Sequence, residues 1–475
     1  FTSTYPLDFG GYNNGILDRP ASFVEHLKDA GFQTCLASSC NILSSVSGYQ
    51  RGFDQIHAAI DYRHILDYRI EKTHSYHLRR LSDGEIDEAE AAKTILPVFD
   101  RELAALKQEI DNGGKSTWGR DLRRYNEWIA AAVPAERRLI GTSPNAVLQK
   151  LLTLPPVLYW RWLGKEKVGK FDLFRRRVGE ASRWRWKRFA VKHEIPFFWV
   201  SHQQVLAEEV VDGLINVIPN LKSPWYAHLH VMDIHDFQSQ SRPGNVLRKL
   251  RYVPRFLKAR RAGSVKRQLF YDLALAYFDE EFGKLLAALD RSDQREATMI
   301  AIIADHGSFY AASPRHKRNV ALRTNFEDID IPFLLNGTVS AGNEDVLLDT
   351  MGVSSTLLEI CGIKPPADFK GIPLSRGGCD TVISETAGGG NADLLRRDLY
   401  FTVTTLQHRM MAVLHDQELQ VFALFNRKED PHEKQNLAEA PESKELIAKQ
   451  LKSLLKERRE IFALRGLDGD SLIEN

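Results

Sequence analysis

The stretch Met299-Ile300-Ala301-Ile302-Ile303-Ala304-Asp305-His306-Gly307 is the most informative in the chain. Its apolar run is too short for an ordinary helix and suits a buried strand of a parallel sheet. Asp305 and His306 then fall at the carboxyl end of that strand, the edge along which open α/β sheets place their ligand sites. Adjacent residues within a strand point to opposite faces. Past the strand the chain turns at Gly307, so the two side chains can converge on one ion. A carboxylate oxygen and an imidazole nitrogen are workable metal ligands. The plainer alternative is a helix-capping Asp beside a structural His.

Working outward, Ile331–Leu335, Tyr226–Met232 and Phe32–Ser38 read as further strands. Between them lie helical patterns. Tyr271–Leu289 carries Leu275, Phe278, Phe282, Leu285 and Leu289 on one face. Pro20–Ala30 carries Phe23, Leu27 and Ala30 and stops at Gly31. Strands alternating with helices predict an α/β fold with a doubly wound, mainly parallel sheet across residues 1–375. Residues 75–195 read as a helical insertion: Glu85–Ile110 has helical period, and Leu151–Gly164 is apolar but broken by Pro155 and Pro156. Residues 376–475 predict a smaller C-terminal α+β subdomain, with strands at Leu399–Thr405, Arg409–Leu414 and Leu419–Leu424 and a helix over Ser443–Phe462.

The chain has 475 residues, 43% apolar and 27% charged, which are ordinary globular values. A net charge of +2 argues against a strongly basic nucleic-acid protein, and no nucleic-acid partner is expected. No apolar run approaches the ~18 residues of a membrane-spanning helix. Cys35, Cys40, Cys361 and Cys379 are too few for a disulfide framework and form no CxxC pair. Two basic stretches stand out, Phe171–Lys192 with Trp184 and Trp186 among its arginines, and Arg248–Arg267. They are expected either to recruit an anionic glycan or membrane surface, or to be solvated helix faces. The chain starts at Phe1, so any signal peptide or anchor would lie upstream and the compartment is left open.

Two further clusters could carry chemistry. His228-Leu229-His230-Val231-Met232-Asp233-Ile234-His235 alternates imidazoles with apolar residues and then passes a strand end. His228 and His230 read as satisfied polar positions of the strand. His235, beyond it, can donate a proton or bind an oxyanion. Arg315-His316-Lys317-Arg318 is a cationic run that suits an anionic ester, or a solvated charge cluster.

Taken in order, these pieces resemble the sulfatase family of the alkaline phosphatase superfamily. Phe1-Thr2-Ser3-Thr4-Tyr5-Pro6 is similar to the TG-x-YP segment that closes the family's nucleophile helix. Phe23–Thr34 resembles its L-x-x-x-GY-x-T unit, and Arg51-Gly52-Phe53-Asp54 its x-GFD. Ala227–Phe237 looks like its strand followed by D-x-H. Asp305-His306-Gly307 resembles SDHG, with Ala304 in place of Ser. Ile331–Leu335 is similar to its VPL strand, and Gly371-Ile372-Pro373-Leu374 loosely to G-x-SL. Phe422–Leu424 followed by Asp430–Leu437 resembles LYDL-x-x-DP-x-E-x-x-NL.

The resemblance implies metal-dependent hydrolysis of a sulfate ester on a small molecule or glycan. Asp305 and His306 would be metal ligands, His235 the acid or oxyanion donor, and His316 and Lys317 the groups that offset remaining charge. Calcium is the family's usual ion, and a His ligand leaves manganese or zinc open. By this alignment the nucleophile and two acidic ligands precede Phe1, so the chain alone is expected to be inactive. The family's GKWHLG segment is replaced by Ala37-Ser38-Ser39-Cys40-Asn41-Ile42-Leu43. That departure keeps open a phosphodiesterase or phosphoglycerol-type transferase acting on a phosphorylated substrate. A non-catalytic polyanion-binding protein on the same fold is the third reading.

Overall fold

The computed structural model describes residues 1–11, 15–111, 120–168, 206–235, 266–307, 324–336, 346–387 and 397–467, with isolated positions at 174, 178, 182, 185, 254, 257, 258, 261 and 394. The chain divides into two compact units. One comprises 33–295 and 310–312, the other 1–32, 296–309 and 313–475.

The first unit is built on a parallel sheet of three strands, β1 (Gln33–Ser38), β2 (Gln55–Ala58) and β3 (Trp225–His230), in the order β2-β1-β3. The central strand β1 is buried along almost its whole length, as a strand flanked on both edges should be. Thr34 locks β1 to the β2 lead-in. Its hydroxyl donates to Gly52 O at 2.6 Å, while its amide donates to Asp54 Oδ2 at 3.0 Å. The Gly52-Phe53-Asp54 motif therefore fixes sheet register.

Helices follow β2, at Tyr62–Tyr68, Ser75–Ser82, Glu88–Asp111, Arg120–Thr142 and Pro144–Thr153. Leu103, Leu106, Ile129, Val133, Val147 and Leu148 form the fully buried centre of their core. Two ion pairs are buried inside it. Lys150 Nζ donates to both Glu136 oxygens at 2.6 Å, and Tyr159 Oη adds a bond of 2.6 Å. Glu102 accepts from Arg69 at 2.7 Å and bonds His74 Nε2 at 2.8 Å. Burial raises the Glu102 carboxyl, but His74 and Arg69 outweigh it and hold the carboxyl below its usual range. Pro155 and Pro156 end the Pro144–Thr153 helix and start a short turn at Pro156–Tyr159, as the proline pair predicts.

In the other unit the Phe23–Asp29 helix starts with a capping box. Ser22 Oγ accepts from Glu25 N at 3.3 Å, and Glu25 Oε2 accepts from Ser22 N at 2.7 Å. Gly31 ends the turn at φ +91°, a conformation that favours glycine. β4 (Ile300–Ile303) and β5 (Phe333–Asn336) pair antiparallel, with Ile302 opposite Leu334. The α/β class with a parallel sheet agrees with the sequence reading, but these two strands depart from it. They pair antiparallel with each other, and Ile303 and Leu334 keep 40% and 60% of their surface exposed rather than buried. An apolar run specifies an extended chain and leaves the direction and identity of its partner to long-range pairing.

The C-terminal sheet is antiparallel in the order β6 (Val382–Thr386), β7 (Leu399–Thr404), β8 (His408–His415) and β9 (Glu418–Asn426). It packs on helices Lys444–Glu457 and Arg459–Leu464 through Leu399, Phe401, Leu454 and Phe462. The Asp430–Leu437 motif is structural. Asn436 accepts from Leu424 N at 2.9 Å and donates to Phe422 O at 3.0 Å. Glu433 meets the buried Arg409 at 2.5 Å, and Arg409 also bonds Asp330. Among the described residues no helix is long and apolar enough to cross a membrane.

Candidate functional site

Asp305 and His306 follow β4 directly, in the turn the sequence predicts. The turn is fixed from below. Gly307 N donates to Asp328 O at 2.7 Å, and a Cβ on Gly307 would stand 1.9 Å from Glu327 O. Only glycine lets the turn sit this close to the Phe326–Ile329 helix, which Asn325 caps by accepting from Asp328 N at 3.1 Å.

Within the turn His306 N donates to Asp305 Oδ1 at 2.9 Å, and His306 Nδ1 donates to Gly307 O at 2.6 Å. The second bond sets the tautomer of the neutral ring. The proton is on Nδ1 and the lone pair on Nε2. Nε2 lies 3.6 Å from Asp305 Oδ2, and both side chains are more than half exposed. An imidazole nitrogen and a carboxylate oxygen so placed are two donor atoms of the kind a divalent ion takes. Among the described residues no group of three or more His, Cys, Asp or Glu side chains forms a larger ligand set.

His235 belongs to the other unit, in the turn after β3, and is exposed. Its neighbour Asp233 is buried and accepts from Ala207 N at 2.7 Å, tying the first turn of the Ala207–Val217 helix to the end of the strand. The first letter of this D-x-H segment is thus an anchor, and the third reaches solvent. His228 and His230 are strand positions, as read from the sequence. Their rings stack at 6.2 Å, and His228 Nδ1 bonds Tyr226 Oη at 3.0 Å. Burial, then the nearby His230 imidazole, pushes His228 down to about 3, so it is neutral at ordinary pH.

Sequence reasoning missed a cluster at the carboxyl ends of β1 and β2. Asn41 Oδ1 accepts from Asp61 N at 2.8 Å and its amide meets His64 Nδ1 at 3.2 Å. Asp61 caps the Tyr62–Tyr68 helix and pairs with Arg63 at 2.6 Å. Asn41 lies in the Ala37–Leu43 stretch that departs from the GKWHLG pattern, and its amide is engaged within the chain. No local pattern signals these contacts, because the partners are 20 or more residues apart. His316 and Lys317, with Arg315 and Arg318, lie outside the described residues, as do nearly all of Phe171–Lys192 and of residues 248–265.

No curated protein matches the chain significantly. Among solved structures, it is 25% identical to a 2-O GAG sulfatase, covering 42% of this chain and 45% of that one at a TM-score of 0.34. It is 16% identical to a protein solved with its substrate D-glucosamine-2-N,6-O-disulfate, covering 54% and 70% at a TM-score of 0.40. A third structure, from the metabolism of multiple glycosaminoglycans by Bacteroides thetaiotaomicron, is 18% identical over 53% and 58% at 0.38. The chain spans under half the length of the first of these, and likeness at such TM-scores carries no argument by itself. The sulfatase family model matches residues 158–362, a span that holds His235, Asp305 and His306.

Proposed function

We propose that the protein is a metal-dependent sulfate-ester hydrolase acting on a sulfated small molecule or glycan, as the resemblance of its motifs and the sulfatase match support. The observation that carries the reading is the Asp305–His306–Gly307 turn inside the sulfatase match, with its imidazole tautomer set to present Nε2 beside a carboxylate. Asp305 Oδ2 and His306 Nε2 would hold the ion, calcium by family resemblance, with manganese or zinc admitted by the imidazole. A bound divalent ion supplies charge that offsets the ester oxygens. Gly307 and the Phe326–Ile329 helix hold the turn in place. His235 would give a proton to the leaving oxygen, and His316 and Lys317 would neutralise charge on the ester.

The test is turnover by full-length protein loaded with calcium, manganese or zinc. Release of sulfate from 4-nitrocatechol sulfate supports the reading. Release of nitrophenol from bis(4-nitrophenyl) phosphate alone favours the second reading, a phosphate-ester enzyme. That second reading draws on Asn41, whose amide is committed to Asp61 and His64 in the stretch that departs from the GKWHLG pattern. Neither product, with retained binding of a sulfated polymer, favours the non-catalytic polyanion-binding reading.

A further inference from the structure

An aromatic group lies beside the carboxyl end of β2, within the first unit. Asn126 docks the Arg120–Thr142 helix onto that end, donating to Ile60 O at 3.0 Å and accepting from Tyr62 N at 3.3 Å. The residue before it, Tyr125, meets Trp160 edge to face, with centroids 5.0 Å apart at 78°. Trp128 meets the same Trp160 at 5.4 Å and 89°. Trp160 Nε1 is engaged with Val157 O at 3.1 Å, which fixes that ring. Trp160 packs half-buried against the helical core, and Tyr125 is half-buried, while Trp128 reaches the surface. Trp128 is 38% exposed and Val157 40% exposed, whereas Ile129 and Val133 on the same helix are fully buried. Trp128, held edge to face on Trp160 yet more than a third exposed, offers flat apolar surface to a ligand.

Cations ring the group. The Arg63 guanidinium lies 3.9 Å from the Tyr125 centroid and that of Arg161 lies 5.1 Å from Trp160. Arg124 is exposed and shares a helix face with Trp128 by its i, i+4 spacing. Asp61 offsets Arg63, and exposed Glu127 offsets part of the rest. The surplus is small and local. It suits a ligand with apolar faces and a few anionic groups, rather than a nucleic-acid backbone with a charge on every unit.

We propose that Tyr125, Trp128 and Trp160, with Arg124 and Arg161, form a subsite that stacks a sugar ring of a sulfated glycan next to the carboxyl edge of the parallel sheet. This rests on the sulfatase reading and assigns part of its substrate recognition to the helices inserted after β2. The apolar face of a pyranose stacks on the indoles, and a sulfate on that or the next sugar pairs with an arginine.

The experiment is binding of a heparin octasaccharide to the protein by calorimetry, with tryptophan fluorescence as a second readout. A fully desulfated octasaccharide and a dT oligonucleotide of equal length are the comparison probes. Trp128→Ala should weaken octasaccharide binding by roughly 3- to 10-fold, the scale of a lost aromatic contact. Trp128→Tyr should retain most of it, and Arg161→Gln should lower its salt dependence. Should Trp128→Ala fail to fold, the Trp128→Tyr and Arg161→Gln results decide. Octasaccharide binding that is absent, or unchanged by folded Trp128→Ala, overturns the inference. So does equal binding of the desulfated probe, or tighter binding of the oligonucleotide. Binding requires no turnover, so a platform that binds in a protein releasing no sulfate overturns the hydrolase reading alone.

Discussion

The contact between Gly307 and the Glu327 carbonyl makes the strongest single-residue demand in the proposed metal turn. A methyl group there has nowhere to go, because the obstructing atoms at 1.9 and 2.8 Å are backbone. Gly307→Ala should cost about 1–3 kcal/mol of stability, read as a lower urea midpoint, and should displace Asp305 and His306 so that metal affinity falls with it. Arg409 makes a different demand. It is fully buried against Glu433, itself nearly buried. Burial raises the Glu433 carboxyl, and Arg409 is the largest influence pulling it back. Arg409→Met leaves that carboxylate without its cation and should destabilise the protein by about 3–5 kcal/mol, measured by the same titration. Of these residues the sequence exposed Asp305, His306 and Gly307, because strand, ligands and turn are consecutive letters. It gave no hint of Arg409, whose partners lie 24 and 79 positions away.

Among the elements, β3 shows how a face of a strand can depend on pH. Tyr226, His228 and His230 alternate along it, and Phe53 packs on the first two at 6.3 and 6.4 Å. His228 is held down to about 3 from an ordinary 6.5, mainly by burial. A lowered imidazole means that the folded state prefers the neutral ring. Its contribution is therefore fully present above about pH 6.5 and is lost as pH falls toward 3. His57 on β2 is lowered by burial as well and acts in the same direction. Urea midpoints should decline across that window in the wild type and decline less steeply in His228→Gln. Identical slopes would show that this ring does not govern acid stability. Helix and strand positions were readable at this scale, since period and caps are local. The pairing of β4 with β5 was not, because IAII and FLLN look alike whether their neighbour runs parallel or antiparallel. Strand β6 was missed because Val382–Thr386 is short and interrupted by Ser384.

At the scale of the whole chain, two kinds of order coexist. The motifs by which the chain resembles the sulfatases serve mostly as structure: Thr34 with Asp54, Asp233 with Ala207, Glu433 with Arg409, and Asn436 with β9. The Asp305–His306 turn is where a shared motif is exposed and carries donor atoms aimed at one another. The order of short motifs is what carries the resemblance, and it was legible in the sequence. The aromatic group around Trp160 was not, because its members come from positions 63, 125, 128 and 160 and meet only in the fold. The central claim is that this turn holds a divalent ion that supports sulfate-ester cleavage. It is tested most directly by titrating manganese into full-length protein and its Asp305→Ala variant, with sulfate release followed on the same samples. The account predicts that the wild type binds manganese and releases sulfate, and that Asp305→Ala weakens binding and abolishes release. Unchanged manganese affinity and wild-type sulfate release in Asp305→Ala would contradict it.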